Sequence, residues 1–139
     1  MNAPTAELLI ERCFALDPAV RYVAVYRNGE LQSRQRAGLA NASEGESDRY
    51  EELIVNPTLL TLTRQRGNID CGGLNYVLIR YGSFFEFVHP FPGGHLSVGL
   101  EPDGEILRVA GRLERLVSEW APEPPAPFAA DATATARGR

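Results

Sequence analysis

The chain has no lysine: all 14 basic residues among its 139 are arginine. Without a lysine amine, neither a phosphate-loop ATPase of the usual kind nor a Schiff-base mechanism is available. No apolar run reaches the roughly 20 residues that a membrane-spanning helix needs, and no signal peptide is visible at the N-terminus. A net charge of -4 with scattered arginines argues against a nucleic-acid binder. These absences predict a cytoplasmic protein with no nucleic-acid partner and no membrane insertion.

Cysteine is scarce as well, with Cys13 and Cys71 as the two examples. Their spacing fits no metal or redox motif, which predicts two buried thiols and not a disulfide. The length suits one domain. We expect that domain at residues 1–120, followed by a disordered Ala/Pro-rich tail at 121–139 that holds a single aromatic residue, Phe128.

Helical and strand periodicities alternate along the domain. Apolar residues at helical spacing predict a first helix that ends at Asp17-Pro18. Asn28-Gly29 then predicts a tight hairpin between strands at 21–26 and 30–36. Asp103 is expected to cap a last helix whose apolar stripe runs from Ile106 to Trp120.

The segment between Asp48 and Gly67 is ambiguous. Asp48 with Glu51 resembles a capping box that opens a second helix. Pro57 interrupts the pattern, and residues 53–66 fit either a strand or a helix restarted at Pro57. We favour a kinked or broken helix that ends near Gly67.

Three further strands are predicted at 74–81, 83–90 and 95–100, separated by glycine-containing turns. Several strands are apolar on both faces, so the sheet needs cover on both sides. The fold class is therefore α+β in three layers. A central five-stranded antiparallel sheet has the second helix on one face and the terminal helices on the other, and Gly99 is expected to let a helix approach.

Few residues suggest chemistry. His89 and His95 bracket a turn and could form a weak metal site with Asp70 or Glu86, although two half-exposed histidines at strand ends are the preferred interpretation. Cys71 lacks a neighbouring base that would activate it. Exposed arginines on the second and last helices are interpreted as solvated surface, and the tyrosines and phenylalanines mostly as core, with tyrosine hydroxyls at the sheet margin.

The order of elements resembles that of the roadblock and dynein light chain family, in the profilin-like and longin-like group. The similarity rests on VRYVAVYRNGEL (Val20 to Leu31), YVLIRYGSFFEFVHPFPGGHLSVGLEPDG (Tyr76 to Gly104) and the stripe from Ile106 to Trp120. The sequence looks like a compact prokaryotic member, and the interruption at Asn56-Pro57 departs from the long second helix of many members. The resemblance implies a homodimer in which sheet edges and second helices pair, and a non-catalytic role in regulating small Ras-like GTPases.

From these observations we expect a regulatory or scaffolding interaction module, not an enzyme, with no cofactor and no metal. Its expected partners are a second copy of itself and a small Ras-like GTPase. The alternative is a small ligand-sensing domain with a pocket between the second helix and the sheet. Apolar residues on more than one face of the second helix place the candidate dimer or partner interface at Tyr50, Leu53, Ile54, Leu60 and Arg64.

Overall fold

The computed structural model describes residues 5–39 and 44–121. The helices and strands follow in chain order as α1 (Ala6–Leu16), β1 (Val20–Arg27), β2 (Glu30–Gln35), α2 (Gly45–Tyr50), a π-helical stretch (Glu51–Val55), α3 (Asn56–Asp70), β3 (Val77–Arg80), β4 (Phe85–Phe91), β5 (Gly94–Leu100) and α4 (Ile106–Trp120). The tail predicted at 121–139 lies outside the described residues except for Ala121.

The five strands form one antiparallel sheet in the order β2-β1-β5-β4-β3. The predicted sheet is confirmed, with β5 at its centre and β2 and β3 at its edges. The β1–β2 turn has positive φ at both central residues, 52° at Asn28 and 85° at Gly29. A type I′ hairpin turn requires that conformation, and an Asn-Gly pair adopts it at low cost.

One face of the sheet carries the apolar core. Alternate side chains of β1, β4 and β5 pack there against α1 and α4, and the buried set includes Val23, Phe87, Leu96, Val98, Leu9 and Leu113. The α4 stripe runs from Val109 to Trp120, whose indole N–H donates to the carbonyl of Thr5 at 2.8 Å. The terminal helices therefore form the predicted layer on this face.

The opposite face is covered by residues 45–70, which we call the long helix. α2, the π-helical stretch and α3 follow one another without a break, so the strand interpretation of residues 53–66 is wrong. Of the predicted kinked or broken helix, the broken form is excluded. The backbone N–H of Asn56 donates to the carbonyl of Glu51, five residues back, and Pro57 follows at the start of α3. Proline lacks the N–H that a helix interior uses, and the wide turn comes directly before it. The helix ends at Asp70, three residues beyond the predicted Gly67.

Two predicted helix caps are also corrected. The long helix begins at Gly45, so Asp48 lies inside its first turn, where its carboxylate accepts a hydrogen bond from Gln35 at 3.2 Å. α4 begins at Ile106 after Glu105, and Asp103 is not its cap. Within the described ranges, no helix combines the length and the apolar character that crossing a membrane requires.

The prediction that Gly99 lets a helix approach is wrong. A Cβ at Gly99 would meet side chains of the same layer, at 3.2 Å from Arg21, 3.3 Å from Tyr22 and 3.6 Å from Phe84, and no helix. β1 has an irregular register between Val20 and Tyr22. The tight space at Gly99 therefore accommodates strand and loop side chains that lie over the sheet.

Candidate functional site

The long helix exposes large apolar side chains along its outer side. Tyr50 is 61% exposed, Ile54 52%, Leu62 60% and Ile69 58%. They recur at spacings of four, eight and seven residues, which places them along one side of a helix. We call these four residues the outer face. Of the six large apolar side chains that the described residues expose, four belong to it.

A shallow groove of about 290 Å³ lies along this part of the helix. Its walls are Leu53, Ile54, Pro57, Thr58, Thr61 and Leu62. The groove has no charged residue among these walls, so it suits an apolar side chain of a partner better than an ion.

The inner side of the long helix is polar where it meets the sheet. Glu52 is completely buried, and its Oε1 lies 2.8 Å from His95 Nε2 and 3.0 Å from Asn56 Nδ2. The hydroxyl of Tyr22 donates to Glu52 Oε2 at 3.1 Å. Two strands, β1 and β5, and the next turn of the long helix therefore converge on one carboxylate.

A second buried carboxyl group belongs to Glu86 of β4. Its Oε2 accepts a hydrogen bond from the Ser97 hydroxyl and lies 3.4 Å from Asn56 Nδ2. Burial, together with the negative charge of Glu52, raises the pKa of Glu86 to about 8. We call the six residues Tyr22, Glu52, Asn56, Glu86, His95 and Ser97 the buried cluster.

Burial also raises the pKa values of neighbouring acidic and phenolic groups. Burial, opposed by a hydrogen bond from Tyr81, raises the pKa of Glu51, and the Tyr81 hydroxyl lies 2.9 Å from Glu51 Oε2. Burial and then the charge of Glu52 raise the pKa of Tyr22. The region between the long helix and the sheet thus disfavours further negative charge.

The two histidines lie on opposite faces of the sheet. His95 is buried against Glu52 on the long-helix side, so its predicted half-exposed position is wrong. His89 is half-buried beside Phe87 in the apolar layer, and burial lowers its pKa. A shared metal site is therefore ruled out by geometry. Within the described residues, no three His, Cys, Asp or Glu side chains are grouped so as to hold a metal ion.

No protein-family profile matches the sequence, and no curated protein matches it either. Among solved structures, a roadblock/LC7 domain from Streptomyces avermitilis superposes with a TM-score of 0.62 at 14% identity, covering 81% of this chain and 91% of that one. This chain has the roadblock/LC7 fold.

Two further structures share the roadblock/LC7 fold with this chain. MglB in a tetrameric arrangement gives a TM-score of 0.55 at 13% identity, over 82% of this chain and 88% of that chain. MglC from Myxococcus xanthus gives 0.52 at 14% identity, over 81% and 93%. The resemblance inferred from element order is confirmed at the level of fold.

The predicted interface residues divide between the two sides of the long helix of this roadblock/LC7 fold. Tyr50 and Ile54 lie on the outer face, and Leu53 lines the groove. Leu60 is only 3% exposed and belongs to the packing against the sheet, so its assignment to a free surface is wrong. Arg64 is exposed at the rim of a separate cleft that also contains Tyr26 and His95.

Sequence reasoning missed Leu62 and Ile69 of the outer face and most of the buried cluster. Leu62 could have been found once the segment was taken as one helix, because it lies two turns after Ile54. Cys71, predicted to be buried, is exposed beside Asp70, whereas Cys13 is buried as expected. Tyr22 buries its hydroxyl against Glu52 and does not place it at the sheet margin.

Proposed function

We propose that this chain is a non-catalytic regulatory or scaffolding module that forms a homodimer through the outer face of the long helix. The observation that carries the proposal is the concentration of exposed apolar side chains on that one face. A monomeric protein rarely leaves such a set in one stripe. A two-fold axis would bring the same stripe of two copies together, because an isologous interface uses one patch twice.

The edges of the sheet support a particular arrangement of the dimer. β2 is an exposed edge that includes Glu30 and Arg34, and charged residues on an edge discourage pairing with another strand. β3 is a short edge with half-buried Val77, Leu78 and Ile79. We therefore propose β3 as the edge that meets its counterpart, beside the paired long helices.

A small Ras-like GTPase is the proposed partner of the dimer. The support is the fold shared with MglB and MglC and the family expectation drawn from the sequence. The test is single-turnover GTP hydrolysis by purified small Ras-like GTPases of the source organism, with and without this chain. A change in rate at saturating chain is expected, and unchanged rates together with no measurable binding for every such GTPase would contradict the assignment.

A matched pair of leucines tests the interface. Leu62 is 60% exposed on the outer face, and Leu107 is 75% exposed on α4, which covers the opposite side of the sheet. Leu62→Asp is expected to weaken dimerisation at least tenfold because it places a charge in an apolar contact, whereas Leu107→Asp leaves it unchanged. Sedimentation equilibrium measures both. Equal dissociation constants for the two variants would remove the outer face as the interface.

The ligand-sensing alternative receives less support. The cavity between the long helix and the sheet that is lined by Tyr22, Glu52, Phe84 and Glu86 among others measures about 90 Å³, and the cleft between the same two layers with Arg64 at its rim measures about 250 Å³. Pockets for drug-sized ligands usually measure about 300–1,000 Å³. Both spaces are smaller than that range, so the scaffolding function remains the proposal.

A further inference from the structure

Two carboxyl groups share one amide inside the protein. Asn56 Nδ2 lies 3.0 Å from Glu52 Oε1 and 3.4 Å from Glu86 Oε2, and both glutamates are buried. Two buried carboxylates this close do not both ionise, since each charge opposes the other in a medium that screens poorly. His95 Nε2 lies 2.8 Å from Oε1 of Glu52, so this polar contact supports Glu52 and not Glu86. The second carboxyl group, that of Glu86, therefore keeps its proton.

Among the described side chains around Glu86, no positively charged group is available to compensate the charge that Glu86 would acquire on losing its proton. The charged or titratable groups that line the cavity or the cluster come from the long helix, β1, β4, β5 and the residue after β3, and they are Asp48, Glu51, Glu52, Arg21, Tyr22, Glu86, His95 and Tyr81. Arg21 lies 3.2 Å from Glu101 in an ion pair. The other ionisable side chains that line the cavity are carboxyl groups and the phenol of Tyr22.

The long helix depends on this cluster for its position. The large apolar cluster consists of residues from α1, α4 and the sheet, and within the described chain no residue of the long helix belongs to that cluster. On the inner side of the long helix the fully buried side chains are Glu52 and Asn56, with Leu60 nearly so. Polar contacts thus make up much of the packing that holds the long helix on the sheet.

We propose that the proton on Glu86 controls the docking of the long helix onto the sheet, so that its loss at higher pH loosens the helix. Deprotonation would leave a second buried carboxylate beside Glu52, and release of the helix would return both to water. The π-helical stretch contains Glu52 and provides the place where the helix can adjust, as such irregular turns often do at functional sites. The consequence for dimerisation rests on the proposed function, because the outer face belongs to the same helix.

The pH range follows from the environment of Glu86. Because burial raises its pKa to about 8, the docked helix holds the proton through neutral pH, whereas a released Glu86 would ionise near its ordinary value of 4.5. Between these values release of the helix frees one proton. The population of the released form therefore rises about tenfold per pH unit.

Hydrogen exchange measured by mass spectrometry on the whole chain tests the proposal. After correction for intrinsic exchange rates, the protection of residues 45–70 is expected to fall about 100-fold from pH 5.5 to pH 7.5. At pH 8.5 these residues are expected to exchange at least tenfold faster than α4. Glu86→Gln should abolish the pH dependence, and Glu119→Gln, a change at an exposed glutamate of α4, should retain it.

Two results would overturn the proposal. One is the same pH dependence in the wild-type chain and in Glu86→Gln. The other is equal protection of the long helix and α4 at every pH, which would mean that the helix opens only when the whole domain unfolds. If Glu86→Gln fails to fold, the carboxyl carbon resonance of Glu86 in the ¹³C-labelled wild-type chain decides: titration between pH 7 and 9 is expected, and titration below pH 5.5 would refute the proposal.

A separate measurement distinguishes failure of this inference from failure of the proposed function. Sedimentation equilibrium at pH 6 and 8.5 reports the dimer alone. A monomer at both pH values, with pH-dependent protection of the long helix, would retain the proton-linked helix and reject the dimer. A dimer whose long helix shows no pH-dependent protection would retain the dimer and reject the proton-linked helix.

Discussion

Replacing Glu86 with glutamine should stabilise the protein at neutral pH. The folded chain keeps this carboxyl group neutral, with a pKa of about 8 against an ordinary 4.5 in the unfolded chain. The folded state therefore binds more protons between these values, and stability falls as the pH rises through that window. At pH 7 the cost is about 3 kcal/mol, at about 1.4 kcal/mol per pH unit above 4.5. Glutamine has a similar shape and carries no such cost.

The assay is urea unfolding, followed by circular dichroism at one fixed protomer concentration. The amide adds a constant offset of about 1 kcal/mol from altered hydrogen bonds with Ser97 and Asn56, so the change with pH is the test. The advantage of Glu86→Gln over the wild type should grow by about 2 kcal/mol from pH 5.5 to 7. Glu119→Gln should differ from the wild type by less than about 0.5 kcal/mol. A pH-independent difference for Glu86→Gln would refute the reasoning.

Three further predictions concern packing and thiols. Leu60→Ala should lower the free energy of unfolding by about 2–5 kcal/mol, and a loss below about 1 kcal/mol in urea unfolding would contradict its burial. Gly94→Ala should destabilise the fold by at least about 3 kcal/mol, since its Cβ would lie 1.7 Å from a backbone carbonyl oxygen of β1. The control is Gly111→Ala, which has open space around it and should raise the melting temperature slightly. A thiol reagent should modify Cys71 in the native protein but Cys13 only after unfolding, because Cys13 is buried and burial raises its pKa to about 12. Equally fast modification of the two cysteines in the native protein would count against the fold.

The sheet and its two helical layers could be predicted because their signals are local. Asn28-Gly29 has the backbone preference of its turn, and strands with apolar residues on both faces require two covering layers. The long helix was harder to assign. Pro57 and the alternation after it carry a real strand signal, and the wide turn that precedes the proline becomes evident only from the hydrogen bond between Asn56 and Glu51.

The candidate site was only partly predictable for a different reason. Exposure of Tyr50 and Ile54 follows from an excess of apolar residues on one helix, but Leu60 faces inward because it lies one helical turn after the buried Asn56. The buried cluster joins residues far apart in sequence, and 43 positions separate Glu52 from His95. Isolated glutamates are mostly surface residues, so their pairing inside the fold could be recognised only in three dimensions.

The mass of the chain in solution tests the central claim most directly. Light scattering coupled to size-exclusion chromatography, run over a range of concentrations at pH 6, should give twice the 15.3 kDa of one chain. Leu62→Asp should shift that mass toward a single chain while Leu107→Asp retains the dimer. A wild-type mass of one chain at every concentration would contradict the account of the outer face.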